Sequence, residues 1–212
     1  MFVMKALVIG GTGATGKVLV RQLLCDDDFH EVVIFIRKEW DIQHPKLVVH
    51  LVDFEQIDQW KHLIAGGVAF SCLGTTLKQA GSKQKQWHID YDYVMQFAQY
   101  AKGNGVTNFV LLSAKAASDK SAFFYSRLKG TLERSVLNLR FENTIILRPG
   151  LLLRPGTNRM GERIAAKILF FFNKMRLFMK YKPIEVVKVA NRMRREAKNY
   201  CCRRLIIESN EI

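Results

Sequence analysis

The stretch that most limits what this chain can become lies near its beginning. Met4 to Ile9 is an apolar run of strand length that breaks into Gly10-Gly11-Thr12-Gly13-Ala14-Thr15-Gly16, and a helical pattern then continues to Leu24. Glycines at a strand-to-helix junction permit a tight turn, a close approach of backbone to a diphosphate, and close packing of helix on sheet. The helix start adds free N–H groups and the positive end of its dipole, both of which favour an anion. The run reads as G-x-G-x-x-G from Gly11 or as G-x-x-G-x-x-G from Gly10, and both readings stay open. Gly10, Thr12, Gly13, Ala14, Thr15 and Gly16 are therefore candidate dinucleotide-binding residues. A purely structural glycine turn is the bland alternative.

Further β-rich apolar runs follow at Glu31–Arg37, Leu47–Leu51, Val68–Cys72, Asn108–Ser113 and Asn143–Arg148, separated by helical segments over Ile57–Ile64, Gln86–Lys102 and Ser121–Leu139. Continuously apolar strands joined by helices imply a mostly parallel sheet covered on both faces, a doubly wound α/β fold of the Rossmann type. After Pro149-Gly150 the pattern changes. Gly161–Lys180 carries apolar residues at helical spacing, a second helix runs from about Glu185 to Asn199, and Leu205–Glu208 is a last strand. All 212 residues are expected to form a single domain. Residues 150–212 would supply a small helical cap on the substrate side, with the final helix and strand.

Lys and Arg number 33 against 19 Asp and Glu, a formal net charge of +14, and Arg159–Arg204 alone holds fourteen basic and three acidic residues. Such a region could attract phosphates, anionic lipid or nucleic acid. No nucleic-acid motif accompanies it, so nucleic acid is not expected as a partner, and a solvated helix face that also draws in an anionic dinucleotide is preferred. The apolar stripe of Gly161–Lys180 reads as core or as a homodimer contact ahead of a membrane-surface contact. Lys167, Asn173, Lys174 and Arg176 interrupt it, so it does not span a bilayer. Cys25, Cys72, Cys201 and Cys202 form no C-x-x-C pair, and the five histidines are scattered, a reduced-compartment pattern with no metal expected. With no signal-peptide pattern at the start, a cytoplasmic protein is expected.

The end of the second strand selects the cofactor. An acid there binds the ribose hydroxyls of NAD, whereas a cation suits the 2′-phosphate of NADP. The strand ends Ile36-Arg37-Lys38, and Asp26, Asp27 and Asp28 precede it at its other end. Arg37 therefore points to NADP(H) through a charge-assisted contact with phosphate, against the plain alternative of a surface arginine. Asp53, followed by Phe54, is placed to meet the adenine edge. Cys72, Leu73 and Gly74 follow the fourth strand, where small residues let backbone pass the cofactor. A nucleophilic role for Cys72 is disfavoured, because no histidine is evidently paired with it.

Tyr125 and Lys129 stand four residues apart on an expected helix and so share one face. A cation beside a phenol stabilises its ionised form, which fits Tyr125 as an acid–base group and Lys129 as a hold for the ribose. Ser113, at the end of the fifth strand, is the hydroxyl to orient a carbonyl. Its bland alternative is a backbone contact at the strand–loop junction.

These pieces together resemble an atypical short-chain dehydrogenase/reductase of the Tat-interacting-protein-like branch. The matching runs are GGTGATG at Gly10, FIR at Phe35, SCLGTT at Ser71, D-x-D-Y-V at Asp90, LLSAK at Leu111, YSRLKG at Tyr125 and LRPG at Leu147, with PIEVV at Pro183 leading into the last long helix. The resemblance implies NADP(H) binding, with Arg148 among the cofactor residues, and a Ser113-Tyr125-Lys129 arrangement. It also exposes a departure. Related sequences often carry two serines after the fifth strand, whereas Ala114 follows Ser113 here, leaving Ser118 or Ser121 as substitutes. Two functions follow: an NADP(H)-dependent oxidoreductase acting on a small, apolar carbonyl or alcohol, or an NADP(H)-binding regulatory protein with little turnover. Phe123, Phe124, Leu151 and Phe170–Phe172 suggest the apolar pocket.

Overall fold

A computed structural model describes residues 4–153, 183–199 and 203–212. In chain order it builds β1 (Met4–Ile9), α1 (Ala14–Leu24), β2 (Phe29–Ile36), β3 (Leu47–Leu51), α2 (Ile57–Trp60), β4 (Val68–Ser71), α3 (Leu77–Ala80), α4 (Lys83–Trp87), α5 (Tyr93–Gly103), β5 (Asn108–Leu112), α6 (Phe124–Asn138), β6 (Asn143–Arg148), β7 (Leu152–Leu153), β8 (Ile184–Glu185), α7 (Val186–Ala197) and β9 (Arg203–Glu208). Seven strands pair in the order β3-β2-β1-β4-β5-β6-β9, every pairing parallel, and β7 with β8 makes a separate parallel pair. This is the doubly wound sheet expected from continuously apolar strands.

Side chains alternate between two covered faces. Ala6 and Val8 of β1 pack with Leu19, Val20 and Leu23 of α1 and with Val189, Met193 and Ala197 of α7. Leu7 and Ile9 pack on the other face with Trp60, Phe97 and Ala98, and with Leu132 and Val136 of α6. Both faces are buried, so the central strands read as nearly continuous apolar runs and not as an apolar–polar alternation. The helix expected near Glu185–Asn199 is α7. It lies on the α1 face of the sheet and feeds edge strand β9, so it covers strands rather than capping their ends. The helical stripe expected over Gly161–Lys180, with Phe170–Phe172, and Cys201 and Cys202 lie outside the described residues.

The acidic triplet between α1 and β2 fastens α7. Asp26 is buried and pairs with Arg194 and with Lys198 at 2.6 Å, Lys198 also reaches Asp28 at 2.5 Å, and Lys46 reaches Asp27 at 3.3 Å. Burial by itself would raise the Asp26 carboxyl, but the Lys198 hydrogen bond and the amide of Asp28 outweigh it and hold it below its usual range. Arg192 and Arg203 pair with Glu196. Part of the C-terminal positive charge is thus engaged within the fold.

After β3 the chain crosses back to place β4 on the opposite side of β1. The strand order reverses there, and the carboxyl ends of β1 and β4 flank the crevice in which such sheets bind ligands.

Candidate active site

The glycine run at the end of β1 occupies that crevice. Gly10 has φ +72°, and a Cβ placed on it would lie 2.5 Å from the backbone carbon of Cys72 and from the nitrogen of Leu73. A Cβ on Gly16 would lie 2.1 Å from the Gly10 carbonyl oxygen, and one on Gly13 3.2 Å from the same oxygen. Gly11 meets nothing nearer than 3.5 Å. Spacing left two registers open, and packing decides for Gly10, Gly13 and Gly16. Gly13 precedes α1 with no side-chain cap, and no acid stands in the first turn formed by Ala14, Thr15 and Gly16. The helix start therefore keeps its positive end available to an anion. A turn wound this tightly on glycine backbone, leading into an uncapped helix, fits a dinucleotide diphosphate.

Arg37 is exposed just past β2 and lines a surface cleft of about 260 Å³ with Thr12, Lys17, Lys38, Glu39 and Trp40. Lys17 lies over the Trp40 ring, 5.8 Å from its centroid. Three cations against one acid make this cleft electropositive, and Lys17 and Trp40 join it from beyond the residues the sequence singled out. Asp53 is exposed and caps the turn that begins at Phe54, accepting from the amide of Glu55 at 2.9 Å. The Phe54 ring is buried against Trp60 and Tyr93, so only its backbone is left to face a ligand. Cys72 and Leu73 form the wall against Gly10. Burial pushes the Cys72 thiol up to about 12, which removes it as a thiolate nucleophile.

Tyr125 and Lys129 share a face of α6 as their spacing requires. Tyr125 is exposed, while Lys129 is 2% exposed with its ammonium 5.9 Å from the Tyr125 ring centroid. Sequence reading attached no role to the partner of that lysine. Asp90 is fully buried, and its Oδ2 lies 3.4 Å from Lys129 Nζ. Its Oδ1 accepts from the Thr75 amide at 2.7 Å, and the Gln86 side chain donates to the Thr75 carbonyl at 3.0 Å. Burial raises the Asp90 carboxyl above its usual range, against the opposing pull of Lys129. Asp90 sits in a wide π-helical turn, His88–Asp92, that joins α4 to α5. A signal for it existed: Gln86, Asp90, Val94, Phe97 and Ala101 trace the buried stripe of this helical run, and Asp90 is its one charged member.

Ser113 and Arg148 stand elsewhere in the network than expected. The Ser113 hydroxyl is buried and donates to Glu133 Oε1. Arg148 holds the same buried carboxylate with two nitrogens, Nη2 at 2.6 Å and Nε at 3.1 Å, and reaches Glu208 with Nη1 at 2.8 Å. That pairing raises the Arg148 guanidinium further above its ordinary range. Ser113 has its proton committed, and Arg148 ties β6 to α6 and β9. Ser118 is exposed, and the Ser121 hydroxyl accepts from the Phe123 amide at 3.2 Å.

A family model described as NAD(P)H-binding matches residues 10–160. The chain is 35% identical over 165 residues to protein HTATIP2 of Rattus norvegicus, covering 76% of this chain and 68% of that one. It is 38% identical over 152 residues to protein FMP52, mitochondrial, of Eremothecium gossypii, covering 71% and 67%. A short chain dehydrogenase family protein from Francisella tularensis superposes with a TM-score of 0.72 at 13% identity, covering 99% of this chain and 98% of the other. The word mitochondrial in the FMP52 names overturns the cytoplasmic expectation. A cysteine pattern typical of a reducing compartment suits the inside of a mitochondrion as well as the cytosol, so it could not distinguish the two. Among the described residues no helix is long and apolar enough to cross a membrane.

Proposed function

Because the chain belongs to the NAD(P)H-binding family, in the short-chain dehydrogenase/reductase branch of HTATIP2 and FMP52, we propose that it is an NADP(H)-dependent oxidoreductase acting on a small, apolar carbonyl or alcohol. The observation that carries this reading is the buried Lys129 ammonium beneath Tyr125, on the helix that flanks the crevice of the glycine run. A nicotinamide held there would supply the hydride for reduction of a carbonyl and take it up in oxidation of an alcohol. Tyr125 then gives its phenolic proton to the substrate oxygen during reduction and takes it back during oxidation. Lys129 keeps a positive charge beside that phenol and has N–H donors to spare for ribose hydroxyls. Gly10, Gly13 and Gly16 let the diphosphate approach the start of α1, and Arg37, with Lys17 and Lys38, pairs with the 2′-phosphate. The mitochondrial names of the fungal relatives make that organelle the compartment in which to look first.

A second reading is favoured by one specific contact. With its proton committed to Glu133, Ser113 does not offer a donor to a carbonyl, which suits an NADP(H)-binding regulatory protein with little turnover. NADPH oxidation against a panel of aldehydes, ketones and quinones separates the two. Turnover that Tyr125→Phe abolishes supports the enzyme. Tight NADPH binding that survives Tyr125→Phe, with no panel member reduced, supports the regulator.

A further inference from the structure

We propose that Asp90 is the positioning residue of this site, acting through Lys129 to fix the lysine and the loop after β4 as one unit. This rests on the reading that Lys129 faces a bound dinucleotide.

Asp90 meets three parts of the crevice at once. One carboxylate oxygen holds the Thr75 amide at 2.7 Å, and the other faces the Lys129 ammonium at 3.4 Å. A Cβ on Gly74 would stand 3.6 Å from that second oxygen and 3.7 Å from the ammonium, so the loop backbone passes directly over the pair. The second oxygen is buried and accepts no hydrogen bond, and Gln86 anchors the Thr75 carbonyl from the same helical run. A carboxylate on an otherwise uncharged buried stripe is unfavourable unless a cation meets it, and a buried lysine is equally unfavourable alone. Each therefore specifies the place of the other. The wide turn at His88–Asp92 sets Asp90 opposite Lys129 and Gly74, and such turns cluster where helices serve a site. Lys129 keeps donors unspent in this arrangement because its counter-charge stands off at 3.4 Å. It is held without being saturated.

Asp90→Asn tests the role, since it keeps an acceptor for the Thr75 amide while replacing the charge facing Lys129 with an amide. NADPH affinity, read by the fluorescence of the bound nucleotide, is expected to fall roughly tenfold in Asp90→Asn and by a similar factor in Lys129→Met. The double variant is expected to fall no further than Lys129→Met alone, because Asp90 has nothing to act on once the ammonium is gone. Losses that multiply to roughly a hundredfold would overturn the proposal. A thermal-unfolding cycle without nucleotide runs beside it. Asp90→Asn should lower the melting temperature with Lys129 present and raise it in the Lys129→Met background, where it removes a buried charge that has lost its cation; equal drops in both backgrounds would also overturn it. If wild type bound no dinucleotide, the cofactor reading would fall, while the thermal cycle would still judge the Asp90–Lys129 coupling. Should Asp90→Asn alone fail to fold, a double variant that folds supports the coupling, and one that stays unfolded defeats it.

Discussion

Ser113 donates its hydroxyl proton to Glu133, two turns along α6 from Tyr125, and Arg148 grips the same carboxylate from β6. The end of β5, the helix carrying the candidate acid and the end of β6 are thereby locked together, with Glu208 on β9 as the outer member. Ser113→Ala is expected to cost about 1.5–3 kcal/mol of stability, the worth of a hydrogen bond to a charged group. Arg148→Met should cost more, about 3–5 kcal/mol, because it leaves Glu133 buried without its cation. In both variants that remain folded, NADPH affinity should change less than twofold. A large loss of affinity in a fully folded Arg148→Met protein would restore Arg148 to the cofactor site.

The glycine register makes a sharp contrast. Gly10→Ala forces a Cβ into the Cys72–Leu73 backbone at a positive φ, and should cost at least about 2 kcal/mol and abolish NADPH binding. Gly11→Ala meets only ordinary contacts and should cost under about 1 kcal/mol. Calorimetric unfolding of the two variants checks the pair; equal losses would refute the Gly10–Gly13–Gly16 register.

Cofactor choice turns on one exposed cation. Arg37→Ala is expected to raise the dissociation constant for NADPH about tenfold or more, the scale of a charge-assisted phosphate contact, and to leave NADH within about twofold. Titration of each nucleotide decides it, and similar losses for both would defeat the NADP assignment.

Two ionisable anchors act in opposite pH ranges. The Asp26 carboxyl is lowered from 3.8, so its contribution is complete above that value and is lost as pH falls through the lower native one. The melting temperature should fall steeply below about pH 4, and the fall should flatten in Asp26→Asn. His88 is raised from 6.5 by its hydrogen bonds to Asp92 and then Glu55, so its contribution is complete below that value and disappears as pH climbs above it. The His88 side chain is 40% exposed, so solvent screening holds this effect under about 1 kcal/mol. His88→Gln should remove the decline that sets in as pH climbs above 6.5. A wild-type melting temperature that rises there would contradict the assignment.

Much of this protein is local in origin and therefore present in the chain itself. A strand that runs into glycines and then a helix is a local pattern, and short β-branched apolar runs without alternation read as strands covered on both sides. Tyr125 and Lys129 share a face because helical spacing puts them there. Tertiary packing decided the rest. The crowding at Gly10 depends on Cys72 and Leu73, brought in by a distant strand; Ser113 and Arg148 met Glu133 only once β5, α6 and β6 lay side by side. Asp90 stood in plain view as a charge on an apolar stripe, yet its partner lay 39 residues away on another helix. Spacing fixes neighbours on one element, whereas a buried ion pair between elements exists only after both have been carried to the same place.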